Sequence, residues 1–204
     1  MAIFNVTANI KHYKKLKSSK TQHLLNYFKN YWTVEESTVK ILEECVTEGK
    51  LKRKENILVE GENCNFLTFV VKGILKTYHI DQKGNQHNLQ FTSENKWVTD
   101  FSSLYNSLPS KLNIEALEAS IILQIKKEDL FNLYDNSPMF DRNMRIITEN
   151  AFIEQQERVL QHISSTAHER YLYFLNKYPN LSNRISNIQI ASYIGVTPEF
   201  LSAI

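Results

Sequence analysis

The spacing of apolar residues changes twice along this chain, and each change marks a different kind of structure. Between residues 50 and 126, short apolar runs such as Phe66-Leu-Thr-Phe-Val-Val71 and Ile74-Leu-Lys-Thr-Tyr-His-Ile80 alternate with turn residues. Four of the five glycines, at 49, 61, 73 and 84, are separated by about one short strand and its turn. Asp81-Gln-Lys-Gly84 reads as a hairpin turn. Leu89 and Phe91 alternate with polar neighbours, and Ile121, Leu123 and Ile125 fall at alternate positions, so each set should line one face of a strand. Regular short strands with glycine corners predict an antiparallel roll or sandwich.

Helical spacing takes over after residue 126. Residues 127–136 make one short helix. Ser137-Pro138 then opens a helix that runs to about Ile163, roughly 39 Å at 1.5 Å per residue. On it Phe140, Met144, Ile147 and Ala151 recur at intervals of four, three and four, and Phe152, Val159 and Ile163 form a second apolar row. A helix with two apolar sides needs two coverings. One row should pack on the strand domain and the other on a partner. Upstream, residues 1–32 read as helical or partly ordered, with lysines at 11, 14, 15, 17 and 20 forming a basic solvated face. Thr33-Val34-Glu35-Glu36 reads as the start of a second helix, capped by the Thr33 hydroxyl with Glu36 as a capping-box acid. That helix should turn Val39, Leu42 and Val46 inward.

The last eighteen residues form the most specific pattern. Residues 188–194 place Ile190, Ala191 and Ile194 on one helix face, and Gly195 supplies the positive φ of a sharp corner. Thr197-Pro198-Glu199 then opens a second helix with a hydroxyl cap, a proline at the first position and an acid in the first turn. A helix, a glycine corner and a capped helix make a helix-turn-helix, whose second helix suits a major groove. The sequence stops at Ile204, about two turns into that helix, so this unit is expected to be incomplete at its C-terminus.

Composition narrows the function. Of 204 residues 42% are hydrophobic and 23% charged, an ordinary globular balance, and the net charge of +2 is too small to imply nucleic acid. No apolar run approaches the ~20 residues of a bilayer span and no signal-peptide core is present, so no membrane partner and a cytoplasmic location are expected. Two cysteines, Cys45 and Cys64, are expected to be free thiols and too few for an iron–sulfur cluster. His79 and His87 fit strand packing or the surface better than haem or metal ligation. No phosphate loop, nucleophile triad or metal pair supports an enzyme, and no cofactor or metal is implied.

The run Ala167-His-Glu-Arg-Tyr-Leu-Tyr-Phe-Leu-Asn-Lys-Tyr-Pro179, followed by Gln189-Ile-Ala-Ser-Tyr-Ile-Gly-Val-Thr-Pro-Glu-Phe-Leu-Ser202, resembles the Crp/Fnr superfamily of transcription regulators. The branch common in Bacteroidetes-type bacteria is the most similar, and the resemblance runs from about Thr33 onward. It implies an α+β fold: N-terminal helices and a cyclic-nucleotide-binding-like β-roll (a double-stranded β-helix or jelly roll) over residues 1–137. A dimerisation helix would follow over 138–163, then a winged-helix-like helix-turn-helix domain over 164–204. It also implies a homodimer that reads a palindromic site on double-stranded DNA. Two reading helices would enter successive major grooves about 34 Å apart.

Family roles transfer unevenly. In DNA-binding members an acid at Glu199 accepts from a cytosine amino group, and polar residues at Thr197 and Ser202 lie near phosphates. A family arginine falls on Pro198, and the guanine-reading arginine falls on Ala203. In cyclic-nucleotide-binding members a Gly-Glu pair opens the phosphate cassette, and an Arg followed by Ser or Thr closes it. Here these fall on Thr99-Asp100 and Pro109-Ser110. Pro109 brings neither charge nor amide donor, and Lys111 should face the other way along a strand. The resemblance therefore implies a sensor that does not bind cyclic AMP in the usual way. It is either an empty scaffold or a site for another small-molecule effector held by Asp100, Ser102, Ser103 and Ser110. From residue 155 onward only Arg158, Arg170, Lys177 and Arg184 are basic, against Glu157, Glu169 and Glu199. A DNA face is usually more basic, so a ligand-binding or protein-interaction module with a decayed DNA reader stands as the alternative.

Overall fold

A computed structural model describes residues 19–30 and 35–203. Its elements run α1 (Ser19–Phe28), α2 (Glu36–Cys45), β1 (Thr47–Leu51), β2 (Asn56–Leu58), β3 (Phe66–Lys72), β4 (Leu75–Ile80), β5 (Gln86–Thr92) and β6 (Trp97–Val98). They continue as α3 (Phe101–Asn106), β7 (Asn113–Ala116), β8 (Ser120–Lys126), α4 (Lys127–Asn136), α5 (Pro138–Ser164), α6 (Ala167–Lys177), α7 (Pro179–Ser182), α8 (Asn187–Ile194) and α9 (Pro198–Ser202). Lys11, Lys14, Lys15, Lys17 and the expected Thr33 cap lie outside the described residues. Glu35 is extended at φ −70°, ψ 150°, so α2 begins at Glu36 with no side-chain cap. Glu36 is thus the first helical residue rather than the acid of a capping box that starts at Thr33.

The strands form two four-stranded antiparallel sheets, in the orders β1-β8-β3-β6 and β2-β7-β4-β5. Val70, Val98 and Ile122 of the first sheet meet Leu58, Leu75 and Ile114 of the second and fill the space between them. The outer face of the first sheet carries Leu67, Phe69, Leu123 and Ile125. It is covered by Leu24 and Phe28 of α1, Leu42 of α2, Leu130 and Leu133 of α4, and Phe140 and Met144 of α5. Sheets buried on both faces read as nearly continuous apolar runs, which explains why residues 66–71 and 121–125 are so apolar.

Two expectations about the strands need correction. Gly49 sits inside β1, where a Cβ would come within 3.1 Å of Ile122, so it serves a close approach and not a corner. Leu89 does not face inward with Phe91. A register shift between Thr77 and Tyr78 pairs Tyr78 with Asn88, burying Asn88 and leaving Leu89 37% exposed.

The helices expected over residues 127–136, from Pro138 to about Ile163 and over 188–194 are present to within a residue. Ser137 Oγ accepts from Phe140 N ahead of Pro138, and α5 runs 27 residues. Phe140 and Met144 are buried and Ile147 packs on the same core, so the first three residues of this row face the roll, while Ala151 is exposed. Phe152, Ile153, Val159, Leu160 and Ile163 are exposed, from 50% to 79%. Thr166 and Glu169 close a full capping box at the start of α6. Among the described residues no helix is long and apolar enough to cross a membrane, and both cysteines are free.

Gly73 tests the joint between the sheets. Its φ is +104°, and a Cβ there would lie 2.1 Å from Ser120 Oγ and 2.8 Å from Ser120 Cα. Gly73→Ala is expected to cost at least about 2 kcal/mol, read as a lowered midpoint in thermal unfolding. Gly84→Ala, also at positive φ but with nothing within 4 Å, should cost less.

Candidate functional site

The cassette is built from the chain between β6 and β7. Asp100 is the N-cap of α3, its Oδ1 accepting from Ser102 N at 3.0 Å and Ser103 N at 3.3 Å. Its Oδ2 accepts from Ser110 Oγ at 2.7 Å. Ser110 Oγ also accepts from Leu112 N, while the Ser110 backbone exchanges hydrogen bonds with Gly61 and Glu62. Ser103 Oγ donates to Leu108 O at 2.6 Å and accepts from Cys64 N at 2.8 Å. Asp100, Ser103 and Ser110 are therefore brought together and buried, with Asp100 held by the Ser103 amide and the Ser110 hydroxyl and the Ser103 hydroxyl held by Leu108 and Cys64. The Ser102 backbone joins the same network through its N–H, and its residue is exposed.

Beside the cassette the roll opens in a cleft of about 440 Å3, lined by Thr68, Thr99, Gln124, Cys64, Asn63 and Glu62 among others. Gln124 Nε2 donates to Thr68 Oγ1 at 3.2 Å, and Thr99 Oγ1 donates to Phe66 O at 2.9 Å. No arginine or lysine is among the lining residues, and Glu62 adds an acid. Pro109 is exposed and bridges Asn63, and Lys111 is exposed with its carbonyl facing His79 Nδ1. A bound phosphate needs a charge-assisted donor; this cleft has none.

The C-terminal helices make the corner expected of them. Ile190, Ala191 and Ile194 of α8 are buried, Gly195 has φ +75°, and Thr197 Oγ1 accepts from Phe200 N at 3.2 Å. Leu201 is the inward anchor of α9, while Thr197, Glu199, Phe200 and Ser202 are exposed and Pro198 is half-buried. Thr197, Glu199 and Ser202 are thus exposed at the start of α9, with the Ser202 hydroxyl donating to Pro198 O at 2.9 Å.

What the sequence did not disclose is how this unit is tied to the roll. Helix α8 lies along β5, the edge strand of its sheet. Asn88 N donates to Ser192 Oγ at 3.0 Å, and Asn88 Nδ2 donates to Gln189 O and Oε1 at 3.0 and 2.8 Å. Ser192 Oγ donates in turn to Gln86 O. Phe91 enters the C-terminal core, 6.3 Å from Phe174 and 5.3 Å from Tyr193 between ring centres. The Arg158 guanidinium of α5 donates to Leu89 O, to Asn88 O at 2.9 Å and to Tyr193 O at 3.1 Å, and lies 4.1 Å from the Tyr193 ring. Arg170 Nε donates to Ile194 O at 2.9 Å. These two cations satisfy carbonyls at the C-terminus of α8, the end that favours positive charge. Burial and both guanidinium groups hold the nearby His162 imidazole below its ordinary value.

Arg184, between α7 and α8, forms the outer clamp. It is paired with Glu94 at 2.7 and 3.0 Å and with Glu118. Lys177 is paired with Glu157 and Tyr173. All four basic residues beyond 155 are thus committed inside the chain. No local signal in the sequence marks Asn88, Arg158 or Arg184 for these roles. Among the described residues no group of three or more His, Cys, Asp or Glu is placed to hold a metal ion.

Residues 48–137 match the family model of the cyclic nucleotide-binding domain. The fold is shared with FixK2 from Bradyrhizobium japonicum, with 21% identity, TM-score 0.69 and coverage of 78% of this chain and 81% of that one. It is also shared with the c-di-GMP-responsive global regulator CLP of Xanthomonas campestris, at 12% identity, TM-score 0.69 and coverage of 83% and 89%. A regulator from Eubacterium rectale assigned to the Crp/Fnr family matches at 17% identity, TM-score 0.69, covering 87% and 85%. No protein of curated function matches the chain by sequence. Residues 48–137 thus match a cyclic nucleotide-binding domain, and the chain shares its fold with solved structures of Crp/Fnr-type regulators, the fold that the resemblance in its sequence implied.

The outer clamp should respond to acid. Hydrogen bonds from Arg184 hold the Glu94 carboxyl down from 4.5 to about 2. A carboxyl depressed in the folded state stabilises it above the unfolded value, and that contribution fades as pH falls from about 4.5 towards about 2. Hydrogen exchange of the α8 amides, corrected for intrinsic rates, should lose protection across that window. Glu94→Gln should start less protected at neutral pH and show a shallower acid limb.

Proposed function

We propose that this chain is a homodimeric DNA-binding transcription regulator of the Crp/Fnr type, acting in the cytoplasm and not as an enzyme. Residues 1–137 form its sensor unit, 138–163 its dimerisation helix and 164–204 its DNA reader. The observation that carries the reading is the exposed start of α9, capped by Thr197, with Glu199 exposed to meet a base edge and Ser202 beside it, its hydroxyl turned to Pro198 O until a phosphate offers a better acceptor. The bare row on α5 supports the dimer. Phe152 and Val159, and likewise Ile153 and Leu160, are seven residues apart, the repeat of a helix pair. Met144 and Ile147 belong to the roll-facing row, which leaves the Phe152–Val159 row as the partner surface. Light scattering should find a dimer at tens of micromolar, and Val159→Asp with Ile163→Asp should give a monomer with its fold intact.

The sensor does not take cyclic AMP in the usual way, because the cleft lacks a cation and the cassette's carboxylate is already held by Ser110. Calorimetry should detect no saturable binding of cyclic AMP or cyclic GMP at micromolar concentrations. Micromolar binding of either would mean that another group supplies the missing charge.

A second reading, in which the DNA reader has decayed, is favoured by the commitment of Arg158, Arg170, Lys177 and Arg184 to internal contacts. Gel shifts on random and genomic DNA at low salt separate the two. The regulator reading expects weak binding that falls steeply with salt. Glu94→Gln with Glu118→Gln releases Arg184 and should raise affinity several-fold, steepening the salt slope by about one unit per phosphate gained. If neither protein retains DNA at low salt, the decayed reader is the better account.

A further inference from the structure

A second cavity, of about 390 Å3, lies where three parts of the chain meet. Trp97 and Lys96 border it from β6 and the turn before it, and Phe91 from β5. Glu154 closes it from α5, and Tyr178 and Tyr193 from the C-terminal helices. Its volume is at the low end of small-molecule sites, about 300–1,000 Å3, and its aromatic walls suit one or two fused rings.

Two polar groups there are poorly matched. The Trp97 indole N–H is buried with no acceptor, and an unpaired buried donor costs free energy. Lys96 Nζ reaches Glu154 only at 3.4 and 3.5 Å, longer than the ~2.7–2.9 Å of a charge-assisted hydrogen bond, and lies 5.7 Å from the Tyr178 ring. One neutral donor and one loosely held cation suit a single carboxylate better than a phosphate. We propose that this cavity is an effector site for a small planar aromatic carboxylic acid, its ring among Trp97, Tyr178 and Tyr193 and its acid group taking Lys96 from Glu154.

Occupancy would be felt by the C-terminal unit, because Tyr193 is shared. Its ring packs on Phe91, and its carbonyl accepts from Arg158. A ligand that needs walls from both sides binds only the docked arrangement and shifts the population towards it. The site meets the cassette only at Thr99 and Phe101 and takes none of Asp100, Ser102, Ser103 and Ser110 into its walls. Binding is also measured without DNA, so its failure and a failure of the regulator reading are told apart.

The test uses the full chain carrying Trp32→Phe, which leaves Trp97 as the sole tryptophan. Titration with 1-naphthoate should quench Trp97 saturably, with one molecule per chain. Its uncharged counterpart, 1-naphthalenemethanol, should bind about tenfold more weakly, the scale of one hydrogen bond to a charged group. Lys96→Gln should remove that preference, and Thr148→Phe, which fills the cavity without adding a second tryptophan, should abolish quenching with the unfolding midpoint kept. Saturating naphthoate should slow exchange of the α8 amides. Absence of saturable quenching, or equal naphthoate affinity in the wild-type and Lys96→Gln backgrounds, overturns the proposal.

Discussion

The edge of strand β5, from Gln86 to Phe91, is the place on which the arrangement of the whole chain depends. An edge strand leaves a row of unpaired backbone groups that must be covered or charged. Here they are covered by the chain itself. Asn88 and Gln86 hydrogen-bond to α8, Arg158 collects the carbonyls of Asn88 and Leu89, and Phe91 is buried among Phe174 and Tyr193. The register shift beside Asn88 makes this possible, since it turns a polar side chain onto α8 where strict alternation would have placed Leu89. One bulge thereby couples the roll, the long helix and the C-terminal helices.

Much of the architecture was legible because its signals are local. Ser137-Pro138 fixes the start of α5, and Gly195 with Thr197-Pro198 fixes the corner between α8 and α9; caps and positive φ are set within a few residues. The apolar runs at 66–71 and 121–125 announced strands for the same reason. Failures came where a distant partner decides. Gly49 looks like a corner until Ile122 is placed against it, and the inward face of β5 depends on a bulge at Leu89 opposite Thr77 and Tyr78 of β4. Asp100 and Ser110 were read as candidate effector contacts, and their spacing in the sequence could not say that they hydrogen-bond to each other. Arg158 and Arg184 carry no local mark at all, since their acceptors lie 69 and 90 residues away.

Charge ties the dock to the proposed function. A regulator's reader gains most of its affinity from cations that neutralise phosphates, yet every basic residue of this unit is engaged internally. The commitments differ in kind. Arg158 and Arg170 hold backbone carbonyls at the end of α8 and cannot leave without exposing them, a cost like that of any unpaired buried acceptor. Arg184 is held by exposed or half-exposed carboxylates, in pairs that water and salt weaken. Only the latter kind is cheap to exchange for a phosphate, so undocking and DNA contact would compete for the same guanidinium.

That competition gives the dock a direction. Undocking separates Phe91 from Phe174 and Tyr193, returns aromatic surface to water and opens the cavity beneath Tyr178 and Tyr193, all of which oppose it. Against this stand the phosphate contacts that Arg184 could gain and the burial that a second chain offers to Phe152, Val159 and Ile163. Phe152 itself borders the cavity between Ala151 and Glu154, and Val159 and Ile163 lie further along the same α5, which also carries Arg158. Pairing of α5 with a partner and docking of α8 therefore act on one helix, and any ligand with differential affinity for the two arrangements can bias both at once.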